Sequence, residues 1–174
     1  GDIAVASNGD LLFADARRGV IHHFAMAALN EPARVTAIVS DSDDQQVLFS
    51  DWRINSPTAV AIGPDGDLYV ADARSHRVSR IGGDSGEIET LAGSDAATFD
   101  GDLKPAVSAG LDTPNGIAVA ANGNIYIADS GNNRIRMVSA ATGLIHTIAG
   151  TGEPGRPDAD DIALGDGGPA KNAR

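Results

Sequence analysis

Short apolar runs alternate with turn-forming residues along the chain, most regularly in residues 114–150. The runs GIAVA and NIYIA flank the pair Asn122-Gly123, and an Asn-Gly pair accepts the positive φ angles of a tight hairpin. Residues 130–133 and 141–143 supply two further turns before the run LIHTIAG. The pattern predicts four short strands, joined by hairpins, in one antiparallel sheet.

The same pattern recurs at a spacing of 57 residues. Another copy, TAVAIGPDGDLYVADARSHRVSRI, begins at Thr58, and a third, GDIAVASNGDLLFADARRGVI, begins at Gly1. Asp15, Asp72 and Asp129 hold the same place in the three copies. Three copies of 57 residues account for nearly all of the 174 residues, so the sequence predicts repeats throughout and no second domain.

Each repeat is predicted to form one sheet followed by a long linker. The first two strands of repeats two and three are apolar on both faces, which indicates that both faces are covered. In the third strand, aliphatic residues lie three positions apart, Val78 with Ile81 and Ile135 with Val138, which predicts a twist or a bulge. The predicted sheets cover about residues 1–40, 57–93 and 114–150, and the linkers cover 41–56, 94–113 and 151–174.

The stretch GIAVAANGNIYIADSGNNRIR, with the linker GDGGPA at residues 165–170, resembles the NHL repeat of bacterial multi-repeat proteins. The second copy has Ser75 and His76 where the third has two asparagines, and the first has Val20 in place of the arginine. The resemblance implies an all-β fold, a β-propeller of four-stranded antiparallel blades, usually six in a ring, that serves as a binding platform. It also favours an extracellular or periplasmic location.

Three blades are too few to close a ring, since propellers use about four to eight. The sequence therefore predicts half of a six-bladed ring, whose open ends expose apolar faces and strand edges. We expect a homodimer that completes the ring, or a fragment of a longer chain. A chain made to study how propellers assemble from fewer repeats is a third interpretation.

The charge balance argues against binding to nucleic acid. The chain has 24 acidic and 13 basic residues, a formal net charge of −11, and only two lysines. Binding a phosphate backbone requires clustered cations. The sequence contains no run of about 20 apolar residues, so it predicts no membrane span. With no cysteine, the chain has no disulfide or thiol chemistry.

The recurring aspartates are predicted to be structural turn residues. Asp15, Asp72 and Asp129 each end a second strand, where a carboxylate is expected to accept backbone N–H groups of its turn. Arg77 and Arg134 are expected to pair with neighbouring groups. A catalytic residue has no reason to recur once per repeat, so the sequence predicts no catalytic residue here.

A candidate ligand face lies at the entrances of the first strands and in the turns after the second strands. Its partner is expected to be a protein or a carbohydrate. The candidate residues are Thr58, Asn115, Arg74, His76, Asn132 and Asn133.

Enzymatic alternatives follow from the resemblance, because some six-bladed relatives are calcium-dependent lactonases or esterases, and an NHL-like peptide-amidating lyase holds zinc. Here the inner strands are aliphatic and the four histidines are not predicted to converge, so no metal site is expected. The acidic run Asp41, Asp43 and Asp44 lacks the glycine and glutamate of an EF-hand loop, which leaves calcium only weakly indicated. A binding or scaffolding module with no cofactor is the main prediction, and a fragment of a calcium-dependent lactonase or esterase is the alternative.

Overall fold

Strands make up nearly all of the regular structure in the computed structural model, which describes residues 1–24, 35–40, 47–50, 54–83, 85–155 and 168–173. In these residues the strands form three sheets, named here in chain order. Sheet 1 contains β1 (Ile3–Val5), β2 (Leu11–Asp15), β3 (Val20–Phe24), β4 (Val35–Ser40) and β5 (Val47–Ser50). Sheet 2 contains β6 (Pro57–Ile62), β7 (Leu68–Asp72), β8 (Arg77–Ile81) and β9 (Ile88–Ala92). Sheet 3 contains β10 (Lys104–Pro105), β11 (Pro114–Val119), β12 (Ile125–Asp129), β13 (Arg134–Val138) and β14 (Leu144–Ala149).

Three single-turn 3-10 helices, at Ala106–Ser108, Ser130–Asn132 and Ala170–Asn172, are the helical elements of the described residues. None of these helices is long or apolar enough to cross a bilayer.

The repeat of the sequence is also a repeat of the backbone. Each sheet contains four consecutive strands that pair with their neighbours in antiparallel hairpins. These sets are β1–β4, β6–β9 and β11–β14. The first hairpin turns on Gly9, Gly66 or Gly123, with φ of 88°, 86° and 81°. Glycine adopts this conformation without the steric cost that other residues meet. The hairpins predicted from the sequence are therefore present in all three copies.

The predicted bulge in the third strand is confirmed. The pairing register of β8 with β9 shifts between Val78 and Ser79, and that of β13 with β14 shifts between Ile135 and Arg136. The same shift occurs in sheet 1 between Ile21 and His22. The three-residue spacing of the aliphatic side chains had indicated this break in the two-residue alternation of a regular strand.

The prediction of four strands in every sheet is wrong for sheets 1 and 3. Sheet 2 has four strands, whereas β10 adds a fifth to sheet 3, antiparallel to β14, and β5 adds a fifth to sheet 1, parallel to β4. An outer strand presents a row of unpaired N–H and C=O groups. Segments of the first two linkers pair with β4 and β14, so part of each of these two linkers belongs to a sheet.

The sheets stack face to face in chain order, with the first strands side by side. β6 packs against β1 and β2 on one side, and β11 packs against β6 and β7 on the other. Two apolar clusters fill the spaces between the sheets. Fully buried linker residues belong to both clusters, among them Ile54 between sheets 1 and 2 and Leu111 between sheets 2 and 3. Ile54 and Leu111 lie 57 positions apart, so the linker repeats its packing as well.

The acidic run Asp41, Asp43 and Asp44, considered above as a calcium ligand set, lies outside the described residues.

Candidate functional site

The turns after the second strands, the starts of the first strands and the incoming linkers meet at one end of sheets 2 and 3. Asp72 pairs in register with Pro57, and Asp129 pairs with Pro114. The end of a second strand therefore adjoins the start of a first strand in the same sheet. We call this end the turn-and-linker face. Every residue nominated from the sequence as a candidate site residue in sheets 2 and 3 lies there.

Asp72 holds the linker that leads into sheet 2. Its side chain is fully buried and accepts the backbone N–H groups of Asn55 at 2.7 Å and Ser56 at 2.9 Å. The N–H of Ser75, in its own turn, donates at 3.3 Å. The shortest bonds therefore come from the preceding linker, although the sequence predicted donors within the turn.

Asp129 occupies the equivalent place in sheet 3. It is also fully buried, and it accepts the backbone N–H of Asp112 at 2.7 Å, 17 residues upstream, as Asn55 lies upstream of Asp72. The side-chain amide of Asn132 donates to both carboxylate oxygens, at 3.0 and 2.9 Å. Burial raises the pKa of Asp129, and the donors from Asp112, Asn132 and Arg136 oppose that rise only in part.

Asp15 differs from these two. Its carboxylate accepts the N–H groups of Arg17 and Arg18, at 3.1 and 3.2 Å, both in its own turn. These bonds are exposed and lie within the turn.

The two repeat arginines have different partners. Nε of Arg77 lies 2.8 Å from a carboxylate oxygen of Asp95. Arg134 donates to the carbonyl oxygens of Asn132 at 2.9 Å and Thr151 at 2.6 Å. Its guanidinium also lies 3.8 Å from the centre of the Phe99 ring, a cation–π contact. Each arginine thus contacts the linker that follows its own sheet, and Arg134 also contacts the preceding linker through Phe99.

One position of the turn is left-handed in all three repeats. Gly19, His76 and Asn133 have φ of 65°, 50° and 50°. Asparagine tolerates this region better than most residues, and histidine is also enriched there. The residue at this position differs between repeats, which in the sequence is a departure from the motif. All three residues found there accept positive φ.

Most of the ligand-face candidates make contacts within the protein. The Thr58 hydroxyl lies 3.1 Å from the carbonyl oxygen of Ala71 and 2.9 Å from that of Pro114, which links sheets 2 and 3. Nδ1 of His76 accepts the backbone N–H of Thr113 at 3.1 Å, which places the proton of the neutral ring on Nε2.

Asn132 also reaches the carbonyl oxygen of Thr98 at 2.9 Å, and Asn133 reaches that of Gly152 at 3.4 Å. Asn115 is exposed, and its side-chain oxygen accepts the Ser130 hydroxyl at 2.6 Å. Arg74 is exposed as well. Of the six candidates, Arg74 and Asn115 are the two whose side chains face solvent.

Sequence reasoning missed a buried charge network in sheet 3. Arg136 is fully buried, 3.3 Å from Asp129 and 3.0 Å from Asp102, and it also donates to the carbonyl oxygen of Gly101 at 2.9 Å. Asp102 accepts the backbone N–H and the hydroxyl of Thr147, each at 2.9 Å. The feature of the sequence that indicates this network is Arg136 itself, a charged residue within a strand at the position that Ser79 holds in sheet 2.

Asp102 has the opposite pKa shift to Asp129. Burial raises the pKa of Asp102, but the hydrogen bonds from Thr147 and the charge of Arg136 outweigh burial and hold it below its usual value. The same arginine therefore lies between one carboxyl that protonates more easily than usual and one that protonates less easily.

Within the described residues, no three histidine or acidic side chains lie close enough together to hold a metal ion. The site therefore consists of backbone and side-chain hydrogen bonds that join each sheet to its linkers.

Stacked antiparallel sheets with their first strands side by side define a propeller-type repeat protein. A solved structure of a Bacteroides thetaiotaomicron protein of unknown function superimposes with a TM-score of 0.65 at 26% identity, covering 86% of this chain and 35% of that one. Virginiamycin B lyase from Staphylococcus aureus superimposes with a TM-score of 0.55 at 18% identity, covering 83% of this chain and 39% of the lyase, a likeness of fold alone.

Sequence relatives give the family. Human Teneurin-4 is 37% identical over 97 residues, which is 49% of this chain and 4% of Teneurin-4. Protein SUPPRESSOR OF QUENCHING 1, chloroplastic, from Arabidopsis thaliana is 32% identical over 101 residues, 58% of this chain and 9% of that protein. The chain therefore spans less than a tenth of the length of these two relatives. The family model of the Teneurin NHL domain matches residues 54–139 and again residues 86–161, together well over half of the chain. The chain belongs to the NHL-repeat family, as the sequence resemblance predicted.

Proposed function

We propose that the chain is a non-enzymatic binding or scaffolding module whose turn-and-linker face contacts a protein or carbohydrate partner. The exposed side chains of Arg74 and Asn115 support this role, because a guanidinium and an amide can hydrogen-bond to carboxylates, carbonyls or sugar hydroxyls. Asp72 and Asp129 hold the linkers beneath this face, and the contacts of Arg77 and Arg134 add to that structural role. Nucleic acid is not among the proposed partners, because the chain has a formal net charge of −11 and a phosphate backbone is also negative.

We further propose that each sheet is one blade and that a second copy of the chain covers both open faces, completing a six-bladed ring. The observation that carries this proposal is the contrast in exposure between equivalent residues. Ile3 is 60% exposed on the outer face of sheet 1, whereas the equivalent Val60 is 4% exposed where sheet 2 packs on sheet 1. Burying one such side chain stabilises an interface by about 1.5–3 kcal/mol.

The opposite face of the stack has the same character. Ile135 in sheet 3 is 38% exposed, whereas the equivalent Val78 is fully buried where sheet 3 packs on sheet 2. A cleft of about 470 Å³ beside Ile135 is also lined by Ala128 and Ala149. The equivalent alanines of sheet 2 belong to the cluster that contains Leu111, so a neighbouring repeat fills the corresponding space there.

Light scattering coupled to gel filtration tests the ring. We expect a dimer in the wild type, and we expect Ile135→Asp to shift it toward the monomer because the charge would be buried in the new interface. Leu103→Asp is the matched control, since Leu103 is 70% exposed in the linker. A monomer at every concentration would contradict self-completion and would leave the further repeats of a longer chain as the cover.

A glycan array and a panel of defined extracellular proteins test the binding face. We expect Arg74→Ala and Asn115→Ala to weaken any hit at least about tenfold, as removal of a charged or central contact does at interfaces. Arg80→Ala is the control, because Arg80 lies toward the opposite end of sheet 2, where it contacts Asp67 and Glu89. Equal losses in all three variants would argue against this face.

Calorimetric titration with calcium separates the module from the lactonase or esterase alternative. A binding module gives no tight calcium site, because strong calcium binding needs six to eight oxygen ligands. A stoichiometric, submicromolar site would favour the enzyme instead.

A further inference from the structure

His76 joins the turn of sheet 2 to the linker that leads into sheet 3. Its ring nitrogen Nδ1 accepts the backbone N–H of Thr113 at 3.1 Å. A carboxylate oxygen of Asp112 lies 3.5 Å from the same nitrogen. The side chains of His76 and Asp112 are 22% and 30% exposed, so solvent protons reach both of them.

The backbone of Thr113 is held in an unfavourable conformation. Its φ is 48°, in the left-handed region, where a β-branched residue is an outlier. Pro114 follows, and the residue before a proline favours an extended backbone. A conformation of this kind persists only where the surrounding contacts hold it, and the N–H of Thr113 is held by His76.

The equivalent residue of the preceding repeat adopts a different conformation. Ser56 lies 57 positions before Thr113 and also precedes a proline, but it does not have a positive φ. Its N–H donates to Asp72, at 2.9 Å. The position of His76 is occupied in that repeat by Gly19, which has no side chain to act as an acceptor. Where the histidine is missing, the N–H therefore goes to the aspartate that ends the second strand.

Asp129 can accept the N–H of Thr113 in the same way. It already accepts the N–H of the residue before, Asp112, at 2.7 Å. The side-chain amide of Asn132 contacts both oxygens of Asp129 and also the carbonyl oxygen of Thr98. This amide has two hydrogens, so the one that faces Asp129 is shared between two oxygens. If it keeps one of them, the other oxygen gains an acceptor position for Thr113.

Several charged groups lie in the segments around His76. They are Asp72, Arg74 and Arg77 on its own turn, Asp95 and Asp112 on the linker, and Asp129 at the end of β12. Arg77 is paired with Asp95, whereas the carboxylates of Asp72 and Asp129 bind backbone N–H groups. Within the described ranges, Asp112 is the carboxylate that contacts the ring.

Protonation of His76 would exchange these contacts. A neutral imidazole has one acceptor nitrogen, whereas a protonated imidazole has two donors and no acceptor. Nδ1 would then oppose the N–H of Thr113 and donate to the carboxylate of Asp112 instead. Histidine is the side chain whose charge ordinarily changes between pH 5 and 8, so the exchange needs no extreme condition.

We propose that His76 is a pH-dependent switch that sets the backbone conformation of Thr113. With a neutral ring, Thr113 is held at positive φ. With a protonated ring, the Nδ1–H group donates to Asp112, and Thr113 adopts the conformation of Ser56 with its N–H on Asp129. Because β11 begins directly after Thr113, the change reaches the turn-and-linker face. The switch itself does not depend on that face binding a partner.

The test is an NMR titration of the full chain from about pH 8 to about pH 5. The nuclear Overhauser effect between HN and Hα of Thr113 is strong at positive φ, and we expect it to weaken with the same midpoint as the ring ¹⁵N signals of His76. The ratio of the two conformers should change at least about tenfold, as expected for a hydrogen bond to a charged group. Asn133, with φ of 50°, is the internal control and should keep its strong signal. An unchanged Thr113, or a change with a different midpoint, would overturn the proposal.

Two variants assign the titration to its group. His76→Asn gives sheet 2 the residue that sheet 3 has at this position, and Thr113 should then show the same signal at both ends of the pH range. A titration that persists in this variant would belong to another group, such as Asp129, and would rule out the switch. His146→Asn is the matched control, since His146 lies in β14, and it should leave the titration of Thr113 unchanged. Should a variant fail to fold, the comparison of midpoints in the wild type decides the question.

Discussion

Sheets 2 and 3 hold their linkers with the same backbone but balance the buried charge differently. In sheet 2, Asp72 receives three backbone N–H groups, and Ser79 lies at the equivalent bulged position of the third strand. In sheet 3, Asp129 receives one backbone N–H, and Arg136 takes the place of Ser79. The repeat thus sets the path of the chain, while single positions decide how each linker is held.

The largest effect is expected from Arg136→Ser, which copies sheet 2 into sheet 3. Removing one partner of a buried ion pair costs about 3–5 kcal/mol, because the remaining carboxylate stays buried without its counter-charge. Urea denaturation measures the loss. Ser79→Ala at the same position of sheet 2 is the control and should cost less than about 1 kcal/mol. Similar losses in the two sheets would show that the arginine has no special role.

A smaller loss, about 2–4 kcal/mol, is expected for Asp72→Ala, since the part-buried N–H of Asn55 and the buried N–H of Ser56 lose their acceptor. Faster hydrogen exchange at these two amides should accompany the loss. Asp15→Ala is the matched control, because its hydrogen bonds are exposed and close only its own turn. A loss as great in Asp15→Ala would show that the contacts of Asp72 with Asn55 and Ser56 are not the cause.

The pH dependence should separate the two carboxyls around Arg136. Asp102 has a lowered folded pKa, so its stabilising contribution is present above about pH 4 and is lost as the pH falls through the folded value. Asp129 has a raised folded pKa, so its unfavourable burial is present above that value and is relieved as the pH falls.

Carboxyl ¹³C NMR should therefore titrate Asp129 above Asp102. The stability difference between the wild type and Asp102→Asn should stay under about 1 kcal/mol, since Asp102 is partly exposed, and should shrink below pH 4. The reverse titration order would refute the assignment of charge to these groups.

The smallest effect concerns the left-handed turn position. Asn133→Gly should change stability by less than about 1 kcal/mol and in the favourable direction, because glycine has no steric cost at φ of 50° and the lost hydrogen bond is long. His76→Gly should be destabilising instead, since Thr113 loses its acceptor. Thermal unfolding resolves the pair, and a shift of equal sign in both variants would go against this account.

The repeat made much of the fold predictable from the sequence. The 57-residue spacing, the Asn-Gly turn and the three-residue aliphatic spacing predicted the strands, hairpins and bulges that the structure has. These features depend on neighbouring residues alone. The partners of Asp129 and Arg136 could not be predicted in the same way, because Asp102 lies 34 residues from Arg136 and meets it only through the path of the linker.

The role of the six ligand-face residues stays a prediction. The six ligand-face residues of the sequence prediction do lie at one end of their sheets, yet most contact a neighbouring segment of the chain. Whether a polar turn residue faces solvent or an adjoining linker depends on how the sheets stack. A difference such as Leu12 against Tyr69 is visible in the sequence, but the packing of the Tyr69 ring over Gly63 is not.

The short strand β10 has a consequence for synthesis. Lys104 and Pro105 pair with Ile145 and Leu144, about forty residues later in the chain. During translation, the segment Lys104–Pro105 is synthesised before its pairing partner. It can therefore form β10 only after the last strand of sheet 3 has left the ribosome. The linker that precedes sheet 3 thus pairs with the last strand of that sheet. The order of translation and the order of assembly therefore differ at this point.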